Sequence, residues 1–159
     1  MSLHWSVAVA LHQFATIVWI GGMFFAHLVL RPAANDLLDP PLRLPLMLAV
    51  FRGFFPWVWA SIVLLWGSGF WLFLGLFGGE AGGHVHAMIG MALVMTSVFV
   101  YLWFLPYKRM RAAVAGSDWA SAAARLAQIR KLILTNLLLG LLTALLGATG
   151  ARLLAFLSA

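Results

Sequence analysis

Apolar residues along this chain neither alternate nor recur at one helical face; they run on almost uninterrupted. Four stretches, at about residues 5–30, 55–77, 86–105 and 132–157, carry almost no charge. Each reaches the ~20 residues that an α-helix needs to cross a hydrocarbon core. Inside lipid the backbone must satisfy its own polar groups, which selects helices for such segments. The pattern predicts an all-α protein: an integral membrane four-helix bundle forming a single transmembrane domain over residues 1–159.

Punctuation between the runs sets the expected boundaries. Arg31-Pro32 should stop the first helix, because proline disfavours a helical residue before it. Ala33–Pro45 then reads as a loop, Leu46–Phe55 as an interfacial helix, and Pro56 as a bend into the second span. Residues 78–83, Gly-Gly-Glu-Ala-Gly-Gly, form a short turn, and Pro106 ends the third helix. Ser117-Asp118 is an N-cap for a helix that begins at Trp119 and continues into the fourth span. Gly140, Ala144 and Ala148 recur every four residues, a spacing that lets helices approach closely in lipid.

Composition removes the soluble alternatives. The chain is 64% hydrophobic and 9% charged, with a mean hydropathy of +1.02. Nine of its ten Lys and Arg residues lie in two segments: Arg31, Arg43 and Arg52 in one, and Lys108, Arg109, Arg111, Arg125, Arg130 and Lys131 in the other. The excess of positive charge on cytoplasmic loops orients the chain, with both basic loops cytoplasmic and both termini periplasmic. Only Arg152 falls on the outer side. The net charge of +6 therefore reports topology and some affinity for anionic lipid; the partner is the bilayer, and nucleic acid is excluded because the basic residues flank spans. There is no cysteine, hence no disulfide and no thiolate ligand.

Polar side chains inside spans are costly and suggest function. His12, Thr16, Trp19, Met23 and His27 share a stripe about 80° wide on helix one, which should face the bundle interior. Helix three has two faces, roughly opposite at 100° per residue. His86, Gly90, Leu93, Ser97, Tyr101 and Phe104 form one; His84, Met88, Met91 and Met95 form the other. With the first face inward, His12 and His86 could hold a low-spin haem b, with Gly90 leaving room for the porphyrin and Arg152 pairing with a propionate. With the second inward, His84 and the methionines, joined by His86 and with His4 as an outer ligand, offer the soft donors that suit Cu(I). A methionine stripe also serves plain packing, so a bundle with no cofactor is the third reading. No acidic residue lies within a span, and no nucleotide-binding or nucleophile motif is present.

Several segments together resemble the copper-resistance protein D (CopD) family of bacterial inner-membrane proteins. They are Leu11-His12, Trp19-Ile20-Gly21-Gly22-Met23-Phe24, Leu30-Arg31-Pro32, Phe51-Arg52-Gly53-Phe54-Phe55 and Trp66-Gly67-Ser68-Gly69. The resemblance covers about residues 10–110 and implies an inner-membrane location and a link to copper uptake or resistance. The helix-one pattern is also similar to the HemJ-type protoporphyrinogen oxidases, haem b proteins whose first-helix histidine His12 matches. His86-Ala87-Met88 lies where that type has His-Ala-Lys, so a functional lysine is replaced. The sequence thus points first to haem b on His12 and His86 for redox chemistry at the periplasmic face. Copper binding or transfer through helix three is the alternative. Either would imply a periplasmic redox or copper-carrier partner, and a homo-oligomer is compatible with both.

Overall fold

The computed structural model describes residues 3–76, 78–79 and 82–157; side chains at 76, 151–155 and 157 lie outside the description. Four long helices make up the described chain: α1 (Leu3–Leu37), α2 (Pro40–Gly75), α3 (Gly83–Ala115) and α4 (Trp119–Leu157). Each contains a stretch long and apolar enough to cross a membrane. Contacts run antiparallel within two pairs. On α1 and α2, Trp5 meets Trp71 and His12 meets Ser68. On α3 and α4, Tyr101 meets Gln128 and Met95 meets Asn136. The starts of α1 and α3 and the ends of α2 and α4 therefore share one end of the bundle, and both basic loops share the other. Large apolar side chains such as Ile17 (67% exposed), Val63 (69%) and Leu145 (63%) remain on the outside, where a bilayer would cover them.

The prolines behave differently from the sequence expectation. Pro32 does not end α1: a π-helical stretch, Ala26–Leu30, precedes it and the helix continues to Leu37. A π turn adds one residue to the hydrogen-bonded ring, which absorbs the bond that proline cannot make. Pro106 sits inside a second π stretch, Trp103–Tyr107, and α3 continues to Ala115. Pro40 and Pro41 open α2, at the positions where a missing N–H costs nothing. The expected loop Ala33–Pro45 contracts to Leu38 and Asp39. The expected interfacial helix and second span are one helix, with Pro45 and Pro56 inside it.

Asp118 is the N-cap of α4: its Oδ1 accepts from the Ser121 N–H at 3.0 Å. Hydrogen bonds from Ser121, side chain first and then backbone, hold this carboxyl below the usual carboxylate range. Ser117 instead closes the preceding helix, with φ at 55°, while the Asp118 N–H reaches back to the Ala113 carbonyl at 2.9 Å.

The buried core nearer the basic end is an aromatic layer. Phe51 stacks on Phe55 at 5.1 Å, and Phe55 meets Phe99 and Tyr107 edge-on at 5.4 and 4.9 Å. Trp19, Trp59 and Trp103 complete it around Phe99. In lipid, burial supplies no hydrophobic gain between helices, so close packing and ring quadrupoles hold this layer.

Of the small-residue row on α4, Gly140 makes the close contact. A Cβ there would fall 2.9 Å from Ile20 Cγ1 and 3.1 Å from Met95 Cε, so α4 touches both α1 and α3 at this point. Ala144 and Ala148, with Gly140, border a cavity. Gly140→Leu should lower stability by about 1–3 kcal/mol through overpacking. An unchanged thermal unfolding curve in detergent would show that this contact carries no weight.

Candidate functional site

Above the aromatic layer, in the half of the bundle that carries the termini, the four helices part around a cavity of about 400 Å³. The helix-one stripe supplies His12, Thr16 and Trp19 to its wall. α2 contributes Trp66 and Gly69, α3 His84, Met88 and Met95, and α4 Gly140, Thr143 and Gly147.

α3 turns its His84–Met95 face inward. Met95 is buried, and His84, Met88 and Met91 are half-buried. His86, Gly90, Leu93, Ser97, Tyr101 and Phe104 are exposed. The reason lies on α4, where glycines face the larger side chains of α3. A Cβ at Gly147 would meet Met88 Cε at 3.1 Å, and one at Gly150 would meet His84 Cβ at 2.7 Å. The two helices approach closely only with this register, which leaves the bulky Leu93, Tyr101 and Phe104 on the outside.

The arrangement required for bis-histidine haem is therefore not assembled. His12 lines the cavity, but His86 lies outside it, edge-on to Phe73 at 5.7 Å and with its Nδ1 3.4 Å from the Gly82 carbonyl. Gly90 offers no porphyrin space inward, since it sits on the exposed face. The Arg152 side chain lies outside the described residues. His4 is exposed near the termini, its ring 4.5 Å from Trp5. His27 belongs to the opposite end of the bundle.

The hydrogen bonds around His12 orient its ring. Ser68 Oγ lies 2.5 Å from the Leu64 carbonyl, which takes its only proton. The 2.9 Å contact between His12 Nδ1 and Ser68 Oγ then requires the imidazole to donate. His12 is assigned as the Nδ1–H tautomer, with its lone pair on Nε2 and the ring orientation held by α2. Gly69 gives the ring room: a Cβ there would sit 3.4 Å from His12 Cε1. Sequence reasoning missed Ser68; the signal was a hydroxyl inside an apolar run, in the segment Trp66-Gly67-Ser68-Gly69.

His84 Nδ1 is buried with no hydrogen-bond partner among the described residues. Met91 does not line the cavity directly, but its sulfur lies 3.5 Å from the Thr143 hydroxyl, a residue of the wall. Among the described residues no three His, Asp or Glu side chains gather. The donors that do share the cavity are two imidazoles and two thioethers, the latter uncharged and soft.

A family model described as copper resistance protein D matches residues 48–150. Ser68, His84, Met88, Met91 and Met95 lie inside the matched segment, and His12 lies before it. No curated protein matches the chain, and no solved structure matches it.

Proposed function

We propose, for a chain that belongs to the copper resistance protein D family, that the cavity receives Cu(I) as cargo from the side of the termini. The observation that carries this reading is the gathering of His12, His84, Met88 and Met95 around one space, with His84 Nδ1 buried and without a hydrogen-bond partner among the described residues. An unsatisfied buried nitrogen is costly unless something binds it. A monovalent, thiophilic ion fits neutral imidazole and thioether donors better than any divalent alternative. His12 would coordinate through Nε2, with Ser68 as the residue that orients it. Thioethers hold copper without a formal charge, which suits capture followed by release.

The aromatic layer below the cavity supports one-sided access. Phe51, Phe55 and Phe99 are buried and fill the space between the cavity and the basic end. The protein then acts as a receiver at one membrane face. The distribution of Lys and Arg supports a periplasmic position for that face. Labelling of an engineered cysteine at Gly82 from outside intact cells checks this, and labelling only from the cytoplasm would reverse it.

The direct test is an anaerobic Cu(I) titration of the detergent-purified protein against a competing chelator. About one equivalent should bind. Met88→Leu and Met95→Leu conserve volume and should leave the fold intact, while each weakens binding about tenfold. Ser68→Ala should weaken it by a similar factor, within the ~10–100-fold cost of losing an outer-shell partner. The reading fails if no copper binds, or if all three variants bind as tightly as the wild type.

A further inference from the structure

At the end of the bundle with the basic loops, three guanidinium groups from three helices come together. Arg31 on α1, Arg43 on α2 and Arg130 on α4 are each half-buried. The Nε of each is buried with no hydrogen-bond partner among the described residues. Arg31 and Arg43 lie close enough for their charges to act on Arg130, and Arg31 and Arg130 act likewise on His27. His27, Arg31 and Arg130 line one shallow recess whose apolar wall includes Phe51 and Ile133.

No carboxylate answers this charge among the described residues. Asp36, Asp39 and Asp118 are all exposed, and Asp118 is engaged at the start of α4. Like charges gathered in a partly dry site repel and leave donors unsatisfied, unless an anion sits among them. Guanidinium forks match phosphate oxygens in both geometry and charge. The recess itself, at about 10 Å³, takes one water-sized group. One phosphoryl oxygen fits while the remainder of the group stays at the surface.

We propose that Arg31, Arg43 and Arg130 form a binding site for the phosphate of an anionic phospholipid headgroup. The three residues stand at the ends of apolar spans, at the depth where headgroups lie, and basic recesses between spanning helices suit such headgroups. The site clamps α1, α2 and α4 together at the end opposite the copper cavity. It does not depend on the copper reading.

The test uses the full-length protein, stripped of lipid in a neutral detergent. Phosphatidylglycerol, phosphatidylcholine and inorganic phosphate are added separately at matched ionic strength, with thermal unfolding and native mass spectrometry as readouts. Phosphatidylglycerol should raise Tm and remain bound, and phosphatidylcholine should not. Arg31→Gln and Arg130→Gln should each lower phosphatidylglycerol occupancy about tenfold, while Arg109→Gln, an exposed arginine elsewhere, leaves it unchanged. A structural reading gives the opposite of a second expected result: without lipid, Arg130→Gln should unfold at the same or a higher temperature, because it relieves repulsion. Equal phosphatidylglycerol binding by all variants, or a lipid-free Arg130→Gln that is less stable than wild type, overturns the site. A full Tm shift from inorganic phosphate alone overturns the lipid as its source.

Discussion

His12→Ala should lower Cu(I) affinity by about a hundredfold, and His86→Ala should leave it unchanged. The first removes a nitrogen that lines the cavity and whose lone pair is set by Ser68. Loss of a direct ligand costs at least as much as the ~10–100-fold typical of an outer-shell partner. The second removes an exposed imidazole on the far face of α3. The same Cu(I) competition titration decides it, with the visible spectrum recorded beside it. A Soret band in the purified wild type that disappears in both His12→Ala and His86→Ala would restore the haem arrangement and reject the copper one.

The largest stability effect should come from Phe55→Ala, at about 3–5 kcal/mol. Phe55 is 2% exposed and touches four other rings, those of Phe51, Phe99, Trp103 and Tyr107. α2 and α3 lose their shared ring contact at once, and the surrounding rings are too rigid to collapse into the gap. Thermal or denaturant unfolding in detergent measures the loss. A change below about 1 kcal/mol, the scale of a conservative core swap, would mean that the layer is loosely packed.

Much of the architecture could be read from the runs of apolar residues. The four spans, the shared side of the two basic loops and the two faces of helix three all follow from length, charge and 100° arithmetic. Which face of α3 looks inward did not follow. Lipid and bundle interior are both apolar, so hydrophobic periodicity has little amplitude with which to choose between them. The choice is made on the partner helix, by Gly147 and Gly150 opposite Met88 and His84. Prolines misled for a related reason. Within a bundle, π turns at Ala26–Leu30 and Trp103–Tyr107 let helices continue where a soluble chain would break. Ser68 stayed hidden because a hydroxyl in a helix can satisfy its proton on its own preceding turn. Nothing in the spacing reveals that its oxygen also serves His12.

That serine has a consequence for the bookkeeping of protons. With Nδ1–H committed to Ser68, the His12 lone pair already sits on Nε2, and the thioethers of Met88 and Met95 carry no proton to lose. Under the proposed reading, the thioethers bind Cu(I) without displacing a proton, in contrast to thiolate sites, where each new sulfur bond must expel one. The ion then arrives in the cavity as an uncompensated single charge. The membrane voltage acts on that charge there.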